Sequence, residues 1–363
     1  MRRLLTIYLI PGAVMQSVMI GGAYGTGREM TQYFTQYGML GGLLGLLVSA
    51  ACIAVVFSLS IEVARRFRVF DYRSFAKVLL GPAWFLFEVV ALSLMLLVTA
   101  VITAAAGALL ADQYGVPRWV GSAVSFVAVV SLVVSGRGWV MKVLASWSLL
   151  LYAVFAAYLV AVFWFKDPTA SGALQEINAG WAISGVQYAM YNVAAIPIVL
   201  YACRAIETRR QAVAAGTVGA LIGIVPAVML HLSFAVDYPG IINAELPVYR
   251  ILGLLDKPLL TTAYLLIIFG TFVETAAGNI QGIVERVNGA LQERNRPSLT
   301  TLQGGAVAVA MMTAAIAISG FGLVALVARG YGALAWGFLL FYALPLVTVG
   351  VYRLSRRSTE LRN

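Results

Sequence analysis

One histidine and two cysteines in 363 residues leave little material for catalysis or metal binding. No His-Glu-x-x-His pair and no Gly-x-Ser-x-Gly turn occurs. Gly25-Thr26-Gly27, the nearest approach to a dinucleotide-binding loop, lies in an apolar run with no strand before it. Cys52 and Cys203 lie in or at the end of apolar runs, without a Cys-x-x-Cys pair, and read as small packing residues. No catalytic residue, cofactor or metal is expected. Charge is scarce too. Charged residues make up 11% of the chain, against about 25% in a soluble domain. A soluble enzyme is thereby excluded. The net charge of +10 could suggest nucleic acid, but the basic residues form short clusters between apolar stretches, the pattern of cytoplasmic loops.

What the chain has is hydrophobicity: 61% apolar residues and a mean hydropathy of +0.90, spread along its whole length. At roughly 20 residues per membrane helix, nine to eleven spans fit and no sizeable extramembrane domain does. Ten are expected, near 4–34, 40–64, 82–112, 117–135, 139–165, 180–203, 210–235, 257–288, 302–319 and 332–353. Gly81-Pro82, Gly115-Val116-Pro117, Ser135-Gly136-Arg137-Gly138, Lys166-Asp167-Pro168 and Arg296-Pro297-Ser298 separate several of them. Met1-Arg2-Arg3 before an apolar run looks like a signal peptide, but no cleavage site with a polar sequence after it follows, so the run reads as the first span. Residues 66–80 suit a short interfacial helix, and residues 237–256 a capping loop outside the membrane.

An even number of spans places both termini on one side. That side then holds 19 of the 25 basic residues and the other holds five, with Arg28 inside the first span. This asymmetry predicts cytoplasmic termini. Two sets of five spans, 1–165 and 166–363, look alike: the first and sixth spans are interrupted by glycine or proline, and the third and eighth are long. Five is odd, so the second set must insert upside down. An inverted repeat with broken helices in matching positions points to a secondary transporter.

Candidate site residues follow from polarity inside the spans. Gly21, Gly22, Gly25 and Gly27 weaken the first helix by about 1 kcal/mol each. An unwound segment there would offer carbonyls to cations and amides to anions; a close-packing face is the alternative. Arg28 and Glu29 follow at once, as an outer gate or a local pair. In the sixth span Pro197 frees carbonyls near Val193, with Asn192 at that depth and Tyr188 and Tyr191 beside it; a simple proline kink is the alternative. Glu274, in mid-span, costs several kcal/mol unless it is neutralised, paired or wet. Thr271, Thr275, Gly278 and Asn279 form a polar, small strip near it. It reads as a proton or cation site, or as a partner for Arg28 or a tyrosine. Thr99 and Thr103 either face a cavity or bond their own backbone. Glu88 reads as solvated near the interface, and His231 as a proton carrier or a satisfied structural group.

With Gly21 to Glu29, Tyr188 to Asn192, and Phe321-Gly322-Leu323 to Gly330-Tyr331 in view, the chain resembles the amino acid–polyamine–organocation superfamily. It looks like the short YkvI-like bacterial membrane proteins within it. The resemblance implies a LeuT-type fold of five plus five inverted helices, with helices one and six broken. It further implies that backbone amides at the glycine-rich break, here Gly21, Gly22, Ala23 and Gly25, hold a substrate carboxylate. Sodium-coupled members hold an ion between that break and hydroxyls of the eighth span. Thr275 stands near that position as a single threonine beside Glu274, so protonation of Glu274 is an equal means of coupling.

The expected protein is an all-α secondary transporter for a small, amino-acid-like solute, coupled to H+ or Na+. The candidate substrate-binding residues are Gly21, Gly22, Ala23, Gly25, Thr26, Thr99, Tyr188, Tyr191 and Asn192. Glu274, Thr275 and Asn279 are candidates for ion coupling, and Arg28 and Glu29 for the gate. A sensor or scaffold on a transporter fold and a channel are the alternatives. The expected partners are a small molecule and the bilayer, not nucleic acid.

Overall fold

Inside a bilayer every backbone N–H and C=O must find its partner within the protein, and apolar runs of this length satisfy that need as helices. The computed structural model describes residues 5–20, 22–135, 137–166 and 175–360, and among these no strand occurs. The elements are α1 (Leu5–Met19), α2 (Gly22–Thr26), α3 (Arg28–Tyr33), α4 (Met39–Phe67), α5 (Tyr72–Leu80), α6 (Trp84–Tyr114) and α7 (Arg118–Val134). They continue with α8 (Arg137–Phe165), α9 (Trp181–Cys203), α10 (Arg209–Ser233), α11 (Pro247–Leu255), α12 (Pro258–Glu293), α13 (Thr301–Ser319) and α14 (Leu323–Arg356). Seven helical runs among the described residues are long and apolar enough to cross a membrane: α4, α5 with α6, α9, α10, α12, α13 and α14. Three shorter apolar helices, Leu5–Met19, Arg118–Val134 and Leu150–Phe165, fall where the other spans are expected.

Several starts are written in the sequence. Thr208 with Gln211 caps α10, and Thr300 with Gln303 caps α13, each pair satisfying two end donors reciprocally. Asp71 accepts from the Ser74 N–H at 2.8 Å and starts α5, a short helix within 66–80.

Three expectations about local structure are corrected. The glycine-rich segment is not an open loop, because Gly22–Thr26 is itself a short helix. The chain departs from helical geometry at Ile20 before it and at Gly27 after it; Gly21 lies outside the described residues. Gly27 has φ +80°, and a Cβ there would stand 2.6 Å from Phe234 and 2.9 Å from Val248. The turn into α3 therefore requires glycine. Next, the interruption of α9 at Pro197 is a change of helix type and not an open stretch. The α-helix ends at Asn192 and the chain passes through 3-10 turns at Val193–Ala195 and Leu200–Cys203 on either side of Pro197, as suits a residue that lacks the N–H an α-helical turn needs. Last, the final helix starts at Leu323 and not near 332. Its early part includes a wide π turn, Leu326–Tyr331. The 237–256 connection is more than a loop: it folds as 3-10 turns followed by α11.

The helices pack in two groups. In one, α10 lies along α4 and α1, and α9 lies on α4. Small residues permit this closeness: a Cβ on Gly185 of α9 would stand 2.4 Å from the Gly45 carbonyl oxygen of α4. In the other group α6, α7, α12 and α13 pack on one another. Of the remaining helices, α8 lies along α12 and α14 leans on α9.

Candidate transport site

A cavity of about 160 Å³ lies on the seam between the two groups. The first group gives it Val18 and Met19 of α1, Glu29 of α3, and Tyr191, Asn192 and Ile198 of α9. The second gives Phe87, Leu94, Met95 and Val98 of α6, and Thr275, Asn279 and Arg286 of α12. Tyr331, presented by the π turn, and Phe338 complete it from α14.

Glu29 is the carboxylate of this cavity, only 5% exposed. The Tyr191 hydroxyl donates to its Oε2. The Tyr191 ring stacks on Tyr331, centroids 4.9 Å apart and planes 26° apart, while Tyr33 and Tyr188 pack against Tyr191 at 5.6 and 5.4 Å. A single acid thus sits in an aromatic nest. It forms no pair with Arg28, which gives its guanidinium to the carbonyls of Ile242 (2.9 Å) and Ala244 (3.1 Å) and to Gln32 (3.1 Å). Arg28 thereby ties α3 to the 3-10 turn ahead of α11, on the side of the cavity away from α5.

The opposite end is bounded by Arg286, whose Nη1 donates to Glu88 at 2.8 Å and whose guanidinium lies 4.3 Å over the Tyr72 ring. Glu88 is thus an ion-pair partner with 17% side-chain exposure and not a solvated interfacial residue. A second hollow, about 470 Å³, adjoins this end and shares Met95, Ile198, Asn279 and Arg286 with the first.

The other sequence candidates fall around this arrangement. Tyr191, Asn192, Thr275 and Asn279 line the cavity; Asn192 also donates to the Tyr188 carbonyl at 2.8 Å. Thr99 lies behind the wall, donating to the Met95 carbonyl at 2.8 Å, with the Asn279 amide 3.5 Å from its hydroxyl. Tyr188 is fully buried against Phe34, and its hydroxyl has no partner among the described residues. Gly25 packs against Ile268, and its carbonyl accepts from Tyr264 at 2.6 Å, fastening α2 to α12. The Thr26 hydroxyl accepts from the Arg28 N–H at 3.2 Å. Gly22 and Ala23 lie within α2. Glu274 is 8% exposed but is not among the residues lining the cavity; it lies within electrostatic reach of Tyr152 on α8. His231 is fully buried, with Nε2 donating to the Met39 carbonyl and Nδ1 2.9 Å from the Thr35 hydroxyl. A carbonyl can only accept, which assigns the tautomer. It is a cross-link between helices.

Arg286 and Phe87 are not singled out by the sequence, and Tyr331 enters there only as part of a motif. Arg286 was legible in principle: Thr275, Asn279, Gly282 and Arg286 fall at steps of four, three and four, one helical stripe. Tyr331 stands in the motif that ends at Gly330-Tyr331 ahead of the expected last span, where no sequence feature ties it to the site.

No family model matches the chain. The membrane protein YkvI of Bacillus subtilis (strain 168) is 24% identical over 299 residues, 78% of this chain and 82% of that one. Among solved structures, a Na+-coupled sialic acid symporter matches with TM-score 0.60 at 14% identity, covering 94% of this chain and 78% of its own. The manganese transporter of Eremococcus coleocola follows with TM-score 0.54 at 14% identity, over 94% and 78% of the two chains. The nucleobase-cation-symport-1 family transporter Mhp1 gives TM-score 0.54 at 13% identity, over 92% and 74%. The fold is that of LeuT-type transporters. These structural neighbours are secondary transporters and not enzymes.

Proposed function

We propose that this chain is a secondary active transporter for a small organic solute of amino-acid-like size, working by alternating access. The observation that carries this reading is a cavity on the seam of two separately packed helix groups, with Arg28 fastening one side and a second hollow adjoining the other. Rocking one group against the other would expose that seam to each side in turn, without a continuous pore. The shared fold of the neighbours supports it. In this reading residues 1–165 and 166–363 are the inverted halves, the protein resides in the bacterial inner membrane, and both termini are cytoplasmic. The hollow beside Arg286 is then the cytoplasmic vestibule. H+ or Na+ drives transport, with Glu274, Thr275 and Asn279 as the coupling group.

Uptake into proteoliposomes tests this. Labelled amino acids should accumulate under an inward H+ or Na+ gradient, and Glu274→Gln should remove the dependence on that gradient. Ligand binding without flux under either gradient would leave a sensor or scaffold; flux that never saturates would leave a channel.

A further inference from the structure

Two side chains of opposite formal charge bound the cavity: Glu29 against the aromatic nest and Arg286 at the vestibule end. The wall between them is mostly apolar, from Phe87, Leu94, Val98 and Phe338. The Glu29 carboxylate is buried, and its only hydrogen bond among the described residues is the one from Tyr191 to Oε2, so Oε1 remains open to a further donor. A buried carboxylate held by one neutral donor is costly unless a cation or proton joins it. Here the joining group would also meet the stacked rings of Tyr191 and Tyr331, and aromatic faces attract ammonium groups within about 6 Å of their centroids.

We infer that Glu29 and the Tyr191–Tyr331 stack form a subsite for the ammonium group of a small organic substrate, whose apolar body lies along α6 and whose carboxylate, where it has one, points to Arg286. This deepens the transporter reading and rests on it. It also reverses the pose that the resemblance implies. A substrate carboxylate held at the first-span break would approach Glu29, an acid of like charge in the same cavity. Reversed, both charged ends meet opposite charges. Arg286 has donors to spare, since its bond to Glu88 uses only Nη1 and a guanidinium carries five N–H groups. Zwitterions and plain amines are therefore accepted, and plain acids are not.

The test uses the purified full chain in nanodiscs and three matched probes: L-phenylalanine, 2-phenylethylamine and 3-phenylpropanoate. Binding is read by calorimetry and by thermal stabilisation, which follows mass action. Both amine-bearing probes should bind and 3-phenylpropanoate should not. Glu29→Gln should weaken both amines by about tenfold or more, and Tyr331→Leu should weaken them less. Arg286→Gln should weaken phenylalanine more than 2-phenylethylamine. Tyr331→Leu and Arg286→Gln keep the test decisive should Glu29→Gln fail to fold. The inference is overturned if 3-phenylpropanoate binds as well as the amines, if Glu29→Gln leaves amine binding intact, or if neither amine binds. It is equally overturned if NaCl in place of KCl gives the only Glu29-dependent stabilisation, which would make this a sodium site. Glu29-dependent amine binding without flux in proteoliposomes would instead refute transport and leave the subsite standing.

Discussion

Arg28 provides the sharpest mechanical test. Its guanidinium is buried, with the residue 6% exposed, and it donates to two backbone carbonyls, Ile242 at 2.9 Å and Ala244 at 3.1 Å. Hydrogen bonds from a charged donor contribute about 1.5–3 kcal/mol each. Replacing Arg28 with Met fills much of the volume but removes both bonds and leaves both carbonyls short of a donor. At the low end of that range the fastened state loses about 3 kcal/mol relative to an opened one. With 1.4 kcal/mol per factor of ten, the opened fraction should rise by about a hundredfold. The assay is maleimide labelling of Val248→Cys in a Cys52→Ser, Cys203→Ala background. Val248 is fully buried and packs against the Gly27 turn, so its labelling rate reports the opening. A cysteine at Ala315, fully buried on α13, serves as control for general loosening. Unchanged labelling at position 248 in a folded Arg28→Met protein would show that Arg28 does not fasten this side. Equal acceleration at 248 and 315 would show global destabilisation instead.

Three further outcomes are expected. Gly185→Ala should destabilise the fold by about 1–3 kcal/mol, since its Cβ would meet the Gly45 carbonyl at 2.4 Å, whereas Gly253→Ala, with nothing within 4 Å, should not lower the melting temperature. Equal effects of the two would contradict the close α4–α9 contact. His231→Leu leaves the Met39 carbonyl without the ring N–H, while the Thr35 hydroxyl keeps the Met30 carbonyl at 3.3 Å; unfolding should show a loss of about 1–3 kcal/mol, and an unchanged midpoint would remove its role as a cross-link. A reporter active only in the cytoplasm, fused to Asn363, should give signal, and silence there with activity in the 237–256 connection would invert the topology.

The sequence by itself determined that this chain lives in lipid as helices. Its apolar runs and scarcity of charge exclude a soluble body, and a bilayer core leaves an unpaired backbone no other escape. Helix starts were legible wherever chemistry is local, as at Thr208 and Thr300. Breaks were legible less well. Glycine and proline report that a helix is weakened, but whether it opens or tightens depends on what surrounds it. Gly22–Thr26 stays helical against α12, and α9 absorbs Pro197 by tightening. The tertiary structure alone decided which acid faces the cavity. Glu29 and Glu274 both lie within spans, and composition ranks them alike. Successive helix positions point about 100° apart, so Arg28 reaches the turn ahead of α11 while Glu29, one residue later, lines the cavity. Which of those directions becomes cavity and which becomes packing is set by the neighbouring helices, and those neighbours are far away in the chain.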